Sequence, residues 1–142
     1  MFYRVIDNKL CDYADYKYSE DCLETNLITQ SELDADIEKI IISDGVIQLN
    51  PNYANIVSQR EKDRILKLKC TKRVFVLMLE QLGFNYYEQI LPLIESNRQA
   101  KLEWDLCVEL ERANPLLDSL ANQIGITSAQ LDGLFKRANG EE

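Results

Sequence analysis

The chain has 142 residues, of which 46% are apolar and 28% are charged, as in a folded globular protein rather than a disordered or fibrous one. Its formal net charge of −8 argues against non-specific binding to nucleic acid or to an anionic membrane surface. It has no histidine, so the commonest general base of enzymes is missing.

The charge is distributed unevenly along the sequence. Residues 1–50 carry four basic and eleven acidic side chains, and residues 74–142 carry five basic and eleven acidic ones. Between them, residues 60–73 carry seven basic side chains against two acidic ones. Such a positive band is typical of a solvated helix face with ion pairs, and it also fits a contact surface for an acidic partner.

The N-terminal segment predicts a pair of strands followed by a tyrosine-rich acidic stretch. Apolar runs at 2–6 and 10–13 flank a turn signal at Asp7 and Asn8. Residues 12–26 are polar and acidic, and they contain three interleaved tyrosines. These are Tyr13, Tyr16 and Tyr18. Tyrosines among charged residues fit either a core or a wet interface with a partner.

A second hairpin is predicted around Asp44 and Gly45. This pair lies between apolar runs at 39–43 and 46–49. Both turn residues tolerate positive φ, which a two-residue hairpin turn of this type requires.

Seven helix starts are marked by a residue whose side chain can accept a hydrogen bond from the free amides of the first turn. The predicted helices, each with its cap, are 30–36 after Thr29, 51–69 after Asn50, 72–82 after Thr71, 86–95 after Asn85, 98–113 after Asn97, 116–124 after Asn114 and 128–138 after Thr127. Pro92 is expected to kink or split the helix that contains it. Gly83 and Gly125 are expected to end the helices that precede them.

These elements predict an α+β fold that is predominantly α. Residues 1–50 would form an acidic, β-rich segment with a small hairpin, 51–70 a charged connecting helix, and 71–142 a bundle of about five short helices. The helix at 72–82 is apolar nearly all round, so it is predicted to be buried. The helix at 98–113 is predicted to have six residues on its inner face. These are Leu102, Trp104, Leu106, Cys107, Val108 and Leu110.

Residues 116–137 have the form of a helix-turn-helix, with Gly125 in the turn. Its second helix contains Gln130 but also Asp132, and its basic residues stand only at its far end. Because DNA reading requires contacts to phosphates and base edges from this helix, the pattern favours a packing role over DNA binding.

No catalytic, cofactor or metal site is predicted. Nucleophile-elbow, P-loop and dinucleotide-binding motifs are absent from the sequence. The four cysteines form no C-x-x-C pair, which excludes the usual structural zinc patterns and fits free thiols in a reducing cytosol. No signal peptide and no membrane-spanning helix are expected.

Two segments carry a resemblance to a known group of proteins. Residues 2–25, which begin Phe-Tyr-Arg-Val-Ile-Asp, and residues 40–53, which begin Ile-Ile-Ile-Ser-Asp-Gly, resemble the start of small proteins encoded beside tail genes in bacteriophages and Mu-like prophages. These are grouped with tail fibre assembly proteins and tail chaperones. Residues 114–118 and 125–132 are similar to C-terminal helical pieces of other small phage proteins.

The resemblance implies a non-enzymatic protein-binding factor, acting in fibre assembly or as a minor structural component. Its partner would be a phage tail or fibre protein, with the helical module packed on itself or on a second copy. It would act in the host cytoplasm or on the virion. The matching motifs are structural, so no site residue is transferred from the group.

The sequence leaves two alternative functions open. The acidic blocks could imitate nucleic acid in a phage-encoded inhibitor of a host defence protein, similar to an anti-CRISPR, and the weaker alternative is a helix-turn-helix regulator. Binding is predicted to involve the N-terminal tyrosines and the basic band. The residues predicted to contact a partner are Tyr13, Tyr16, Tyr18, Arg64, Lys67 and Lys72.

Overall fold

The computed structural model describes residues 1–141, in which seven helices and seven strands form. The strands are β1 (Phe2–Ile6), β2 (Lys9–Ala14), β3 (Leu23–Glu24), β4 (Ile40–Ser43), β5 (Val46–Leu49), β6 (Lys69–Thr71) and β7 (Glu109–Glu111). The helices are α1 (Gln30–Ala35), α2 (Tyr53–Leu66), α3 (Lys72–Gln81), α4 (Leu91–Glu95), α5 (Arg98–Leu106), α6 (Pro115–Ile124) and α7 (Ser128–Ala138). A 3-10 turn at Ile37–Lys39 and a π-helical turn at Tyr86–Ile90 complete the helical segments.

The chain divides into two compact units between Gln59 and Arg60, which places the division inside α2. The N-terminal unit contains β1 to β5, and the C-terminal unit contains β6, β7 and α3 to α7. The boundaries predicted at residues 50 and 70 stay predictions.

The predicted N-terminal strand pair is confirmed. The antiparallel strands β1 and β2 join through Asp7 and Asn8, which have φ values of 50° and 62°. The sequence did not reveal β3, which has two residues and pairs with the other edge of β1.

The hairpin predicted at Asp44 and Gly45 is also confirmed. Strands β4 and β5 pair antiparallel, and the two turn residues have φ values of 51° and 75°. Tyr3 is 1% exposed, and its hydroxyl oxygen accepts a hydrogen bond from the amide of Ile47 at 3.2 Å. This bond joins the two sheets over a small core. The buried members of that core are Tyr3, Ile28, Leu33, Ile40 and Ile47.

Local capping signals are confirmed for most helices. A side chain accepts hydrogen bonds from first-turn amides at six of them, namely at Thr29, Thr71, Asn85, Asn97, Asn114 and Thr127. The helix predicted at 86–95 is split as expected, since the π-helical turn ends at Ile90 and α4 begins just before Pro92. The helix predicted from residue 51 instead begins at Tyr53 and ends at Leu66.

The predicted fold class is wrong. The structure is α+β with three small sheets, and 52% of it is helical and 19% is strand, so strands are not confined to one N-terminal hairpin segment. The third sheet lies where the end of the connecting helix and the helical bundle were predicted. Its strands β6 and β7 pair antiparallel, with Lys69 opposite Glu111, Cys70 opposite Leu110 and Thr71 opposite Glu109.

The physical reason is the early end of α5. A helix through residue 113 was predicted from the four-residue spacing of Leu102, Leu106 and Leu110, but α5 ends at Leu106 and Cys107 is extended. Leu102 is 45% exposed, Leu106 80% and Val108 81%, so these residues do not face the core. Leu110 is fully buried, but it belongs to strand β7 and not to a helix. Its two neighbours in β7, Glu109 and Glu111, are exposed.

The α6–α7 hairpin is held by one buried arginine. The Arg112 side chain is 3% exposed, and its guanidinium donates to Asp132 at 2.6 Å, Ser128 at 2.8 Å and Asp118 at 3.0 Å. Asp118 lies on α6, and Ser128 and Asp132 lie on α7, so one side chain joins both helices to the end of β7. Asp132 therefore has a structural role.

We expect Asp132→Ala to lower the free energy of unfolding of the C-terminal unit by about 2 kcal/mol, because the buried guanidinium loses its shortest partner. Asp118→Ala should lower the same free energy of unfolding by less than about 1 kcal/mol, since that carboxylate is 55% exposed. Denaturant unfolding followed by the fluorescence of the single tryptophan, Trp104, reports on this unit.

The matched control is Asp105→Ala, which removes an exposed i,i+4 pair with Lys101 on α5. If Asp132→Ala lowered the free energy of unfolding no more than this control, the conclusion that Arg112 holds α6 and α7 together would be wrong.

Candidate binding groove

A groove with aromatic and basic walls opens along α3. It encloses about 430 Å³ and is referred to below as the α3 groove. Helix α3 supplies one wall, the π-helical turn a second, and α5 the floor. The lining residues are Lys72, Arg73, Val76, Leu77, Glu80, Tyr86, Tyr87 and Trp104.

Trp104 anchors the aromatic side of the α3 groove. It is 4% exposed, and its indole N–H donates to the Tyr86 hydroxyl at 3.0 Å. The two rings are tilted with their centroids 6.1 Å apart. Tyr87 packs edge-on against Tyr86, with 5.2 Å between centroids, yet it is 75% exposed. The fixed inner rings thus hold an outer ring that is free to contact a ligand.

Lys72 lies over this aromatic floor. Its ammonium nitrogen donates to the Trp104 carbonyl at 2.5 Å and lies 5.5 Å from the centre of the indole ring. Both contacts stabilise the cation in place. An ammonium group has three N–H donors, and the described residues accept from one of them. The other two donors remain for a ligand or water.

The neighbouring Arg73 is an exposed cation with no hydrogen bond or ion pair to any residue in the described range 1–141. Glu80, two turns further along α3, is already engaged because its carboxylate accepts from the Tyr86 amide at 2.7 Å. The groove is therefore positive at the start of α3 and negative near its end.

The helical period of α3 explains its exposed wall. Phe75 and Leu79 face the core at 3% and 2% exposure, which turns Leu77 outward at 50% exposure. The prediction that this helix is buried because it is apolar nearly all round is therefore wrong. Its apolar residues serve both the core and a surface groove.

The predicted basic residues have different environments. Lys72 lines the α3 groove. Arg64 is bound within the protein, since its guanidinium pairs with Glu61 at 2.8 Å and Glu141 at 2.6 Å, which raises its pKa above the ordinary value. Lys67 is exposed in the turn after α2. The structure thus brings one of these three cations into a shaped site.

The predicted tyrosines are partly engaged within the N-terminal unit. Tyr13 donates to Asp34 at 2.8 Å, and Tyr18 donates to Asp12. Tyr16 is 70% exposed and packs edge-on against Tyr18. Two of the three hydroxyls therefore have internal partners, and Tyr16 presents the most accessible ring.

Tyr86, Tyr87 and Trp104 were missed as site residues by sequence reasoning. The available signal was the adjacent pair Tyr86 and Tyr87, which lies five residues before Pro92 in a helix expected to break. A broken helix leaves side chains off the regular apolar face, and adjacent aromatics there can reach the surface.

No three Cys, Asp or Glu side chains within residues 1–141 are grouped so that they could hold a metal ion. All four cysteines are free thiols. None of the helices described is long and apolar enough to cross a bilayer.

No protein-family model, curated protein or solved structure matches this chain.

The N-terminal unit should lose stability at alkaline pH. Partial burial and the hydrogen bond to Asp12 raise the pKa of Tyr18, and the hydrogen bond to Asp34 raises the pKa of Tyr13, both from 10.0. A raised folded pKa means that the neutral phenol is favoured in the folded state. Its stabilisation is present below pH 10.0 and is lost as the pH rises through the folded pKa.

The Tyr13→Phe, Tyr18→Phe double variant should therefore show a smaller fall in unfolding free energy above pH 10.0, measured by denaturant titration followed by circular dichroism. Tyr16→Phe is the matched control, since the Tyr16 hydroxyl has no hydrogen-bond partner within the described residues. An equal fall in the double variant and the parent would contradict the assignment.

Proposed function

We propose that the chain is a non-enzymatic protein-binding factor that holds a segment of a partner protein in the α3 groove. The observation that carries the proposal is the exposed Tyr87 ring, fixed against a buried aromatic pair and placed in one groove with Leu77 and Lys72. Exposed aromatic side chains on a rigid support are typical of the residues that contribute most to protein–protein binding.

The groove composition favours a protein ligand. Interface cores are enriched in Tyr, Trp and Arg, and the α3 groove contains all three. Nucleic acid is disfavoured because the chain has a net charge of −8 and the groove offers only two cations.

A binding role also fits the bonds of two of the three charged groups in the groove. The Lys72 ammonium is bonded to the Trp104 carbonyl, and the Glu80 carboxylate is bonded to the Tyr86 amide. Groups held in this way position the walls of a site. A catalytic acid or base instead needs to reach the proton that it transfers.

The resemblance of the sequence to phage tail-associated proteins supplies the partner class. We propose a phage tail or fibre protein as the partner, bound in the host cytoplasm during assembly or on the virion.

Replacing Tyr87 should test the proposal directly. The affinity-tagged full chain would be isolated from phage-producing cells, and the protein captured with it would be identified and purified for calorimetry. Tyr87→Ala should weaken binding of that purified protein about tenfold or more, because alanine removes the aromatic ring that contacts the partner. Tyr87 is 75% exposed, so the fold should be unaffected.

Tyr16→Ala is a matched control, since Tyr16 is 70% exposed and also packs edge-on against one neighbouring tyrosine. It should leave affinity nearly unchanged. If Tyr16→Ala lost binding and Tyr87→Ala kept it, the interface would lie on the N-terminal tyrosines. The proposal that the α3 groove binds the partner would then be wrong. Recovery of virion or fibre protein would support the tail assignment, and recovery of a host nuclease or regulator would favour an inhibitor.

A further inference from the structure

The α3 groove has a direction that specifies what kind of segment it can hold. The free donors of Lys72 and the unpaired guanidinium of Arg73 lie at the start of α3. Leu77 and Tyr87 provide the exposed apolar surface, and the carboxylate of Glu80 lies at the far end. An acidic side chain would be attracted at the first end and repelled at the other.

The spacing along α3 sets the spacing in the ligand. Arg73 and Leu77 are four residues apart on one helix face, a rise of about 6 Å. In an extended peptide, side chains two positions apart point to the same side and are about 6.7 Å apart. An acidic residue and a large apolar residue at positions i and i+2 would therefore match Arg73 and Leu77.

We infer that the α3 groove binds an extended segment of the partner that carries an acidic residue and a large apolar residue two positions apart. This inference rests on the proposed function, because it takes the groove to be the protein-binding site. The carboxylate pairs with Arg73 and accepts from Lys72, while the apolar side chain packs between Leu77 and Tyr87. Glu80 disfavours placement of the acidic residue at the far end of the groove.

The negative net charge of the chain explains why the attraction for an acidic residue would be confined to the groove. The protein as a whole is negative, so acidic partners are repelled at long range. Lys72 and Arg73 together form a small positive site within the groove. Binding therefore depends on the pairing of an acidic residue with these two cations, and added salt should weaken it.

Synthetic peptides test the inference on the full chain. The probes are terminally blocked heptapeptides with Glu-Ser-Phe at the centre, compared with Gln-Ser-Phe, Glu-Ser-Ser and the adjacent arrangement Ser-Glu-Phe. Binding is followed by the fluorescence of Trp104 up to about 1 mM peptide. The Glu-Ser-Phe peptide should bind most tightly, and the other three should each bind about two- to fivefold more weakly or not at all.

Arg73→Gln should reduce the advantage of Glu over Gln, because Lys72 remains, while leaving the weak Gln-Ser-Phe binding unchanged. Arg137→Gln is the matched control, because Arg137 is an exposed arginine on α7 that does not line the groove. Lys72→Gln should act in the same direction, and Arg73→Gln keeps the test valid if loss of the Trp104 contact unfolds the Lys72 variant. Thermal melts establish that each variant is folded.

Equal binding of the Glu and Gln peptides, or no binding by any peptide, would overturn the inference. If partner binding still depended on Tyr87 in that case, the proposed function would stand and only the ligand class would be wrong. If a thymidine decamer bound with the same dependence on Tyr87 and Arg73, both proposals would fail in favour of single-stranded nucleic acid.

Discussion

Pairing of β6 with β7 is the interaction on which the C-terminal unit depends. Its three residue pairs place the start of α3 beside the end of α5, and the Lys72 amide extends the contact by donating to the Val108 carbonyl at 3.3 Å. This pairing of β6 with β7 brings the Lys72 ammonium close enough to lie over the Trp104 ring. The groove is therefore a consequence of a short strand pair between residues 38 to 42 positions apart in the chain.

The same ladder also organises the other side of the unit. It continues as hydrogen bonds from the Arg112 amide to the Leu68 carbonyl and from the Ala113 amide to the Leu66 carbonyl. These bonds fix the backbone at Arg112, whose buried guanidinium reaches α6 and α7. The helix-turn-helix form thus arises from packing around a charge. Asp132, which weakens any case for DNA reading, is needed for that packing.

Signals contained within a few residues could be predicted from the sequence. Capping at Thr29, Thr71 and Thr127 and the turn at Asp44 and Gly45 all depend on neighbouring residues, and the structure contains each of them. The strand at Glu109–Glu111 could not be predicted in this way. Three residues give too short an alternation to recognise, and Leu102, Leu106 and Leu110 have helical spacing. The bonds that end α5 come from a segment far away in sequence, and so does the contact between Lys72 and Trp104.

Lys72 was identified from the basic band, but its aromatic neighbours were not, because nothing local relates Tyr86 and Tyr87 to residue 104. We propose that partner binding occurs at Lys72, Tyr86, Tyr87 and Trp104. The most direct measurement is the indole N–H resonance of Trp104, a single signal in a ¹⁵N correlation spectrum, during titration with the captured partner. We predict that this resonance shifts or broadens as the groove fills. An unchanged indole signal, with shifts confined to Tyr13, Tyr16 and Tyr18, would contradict the account.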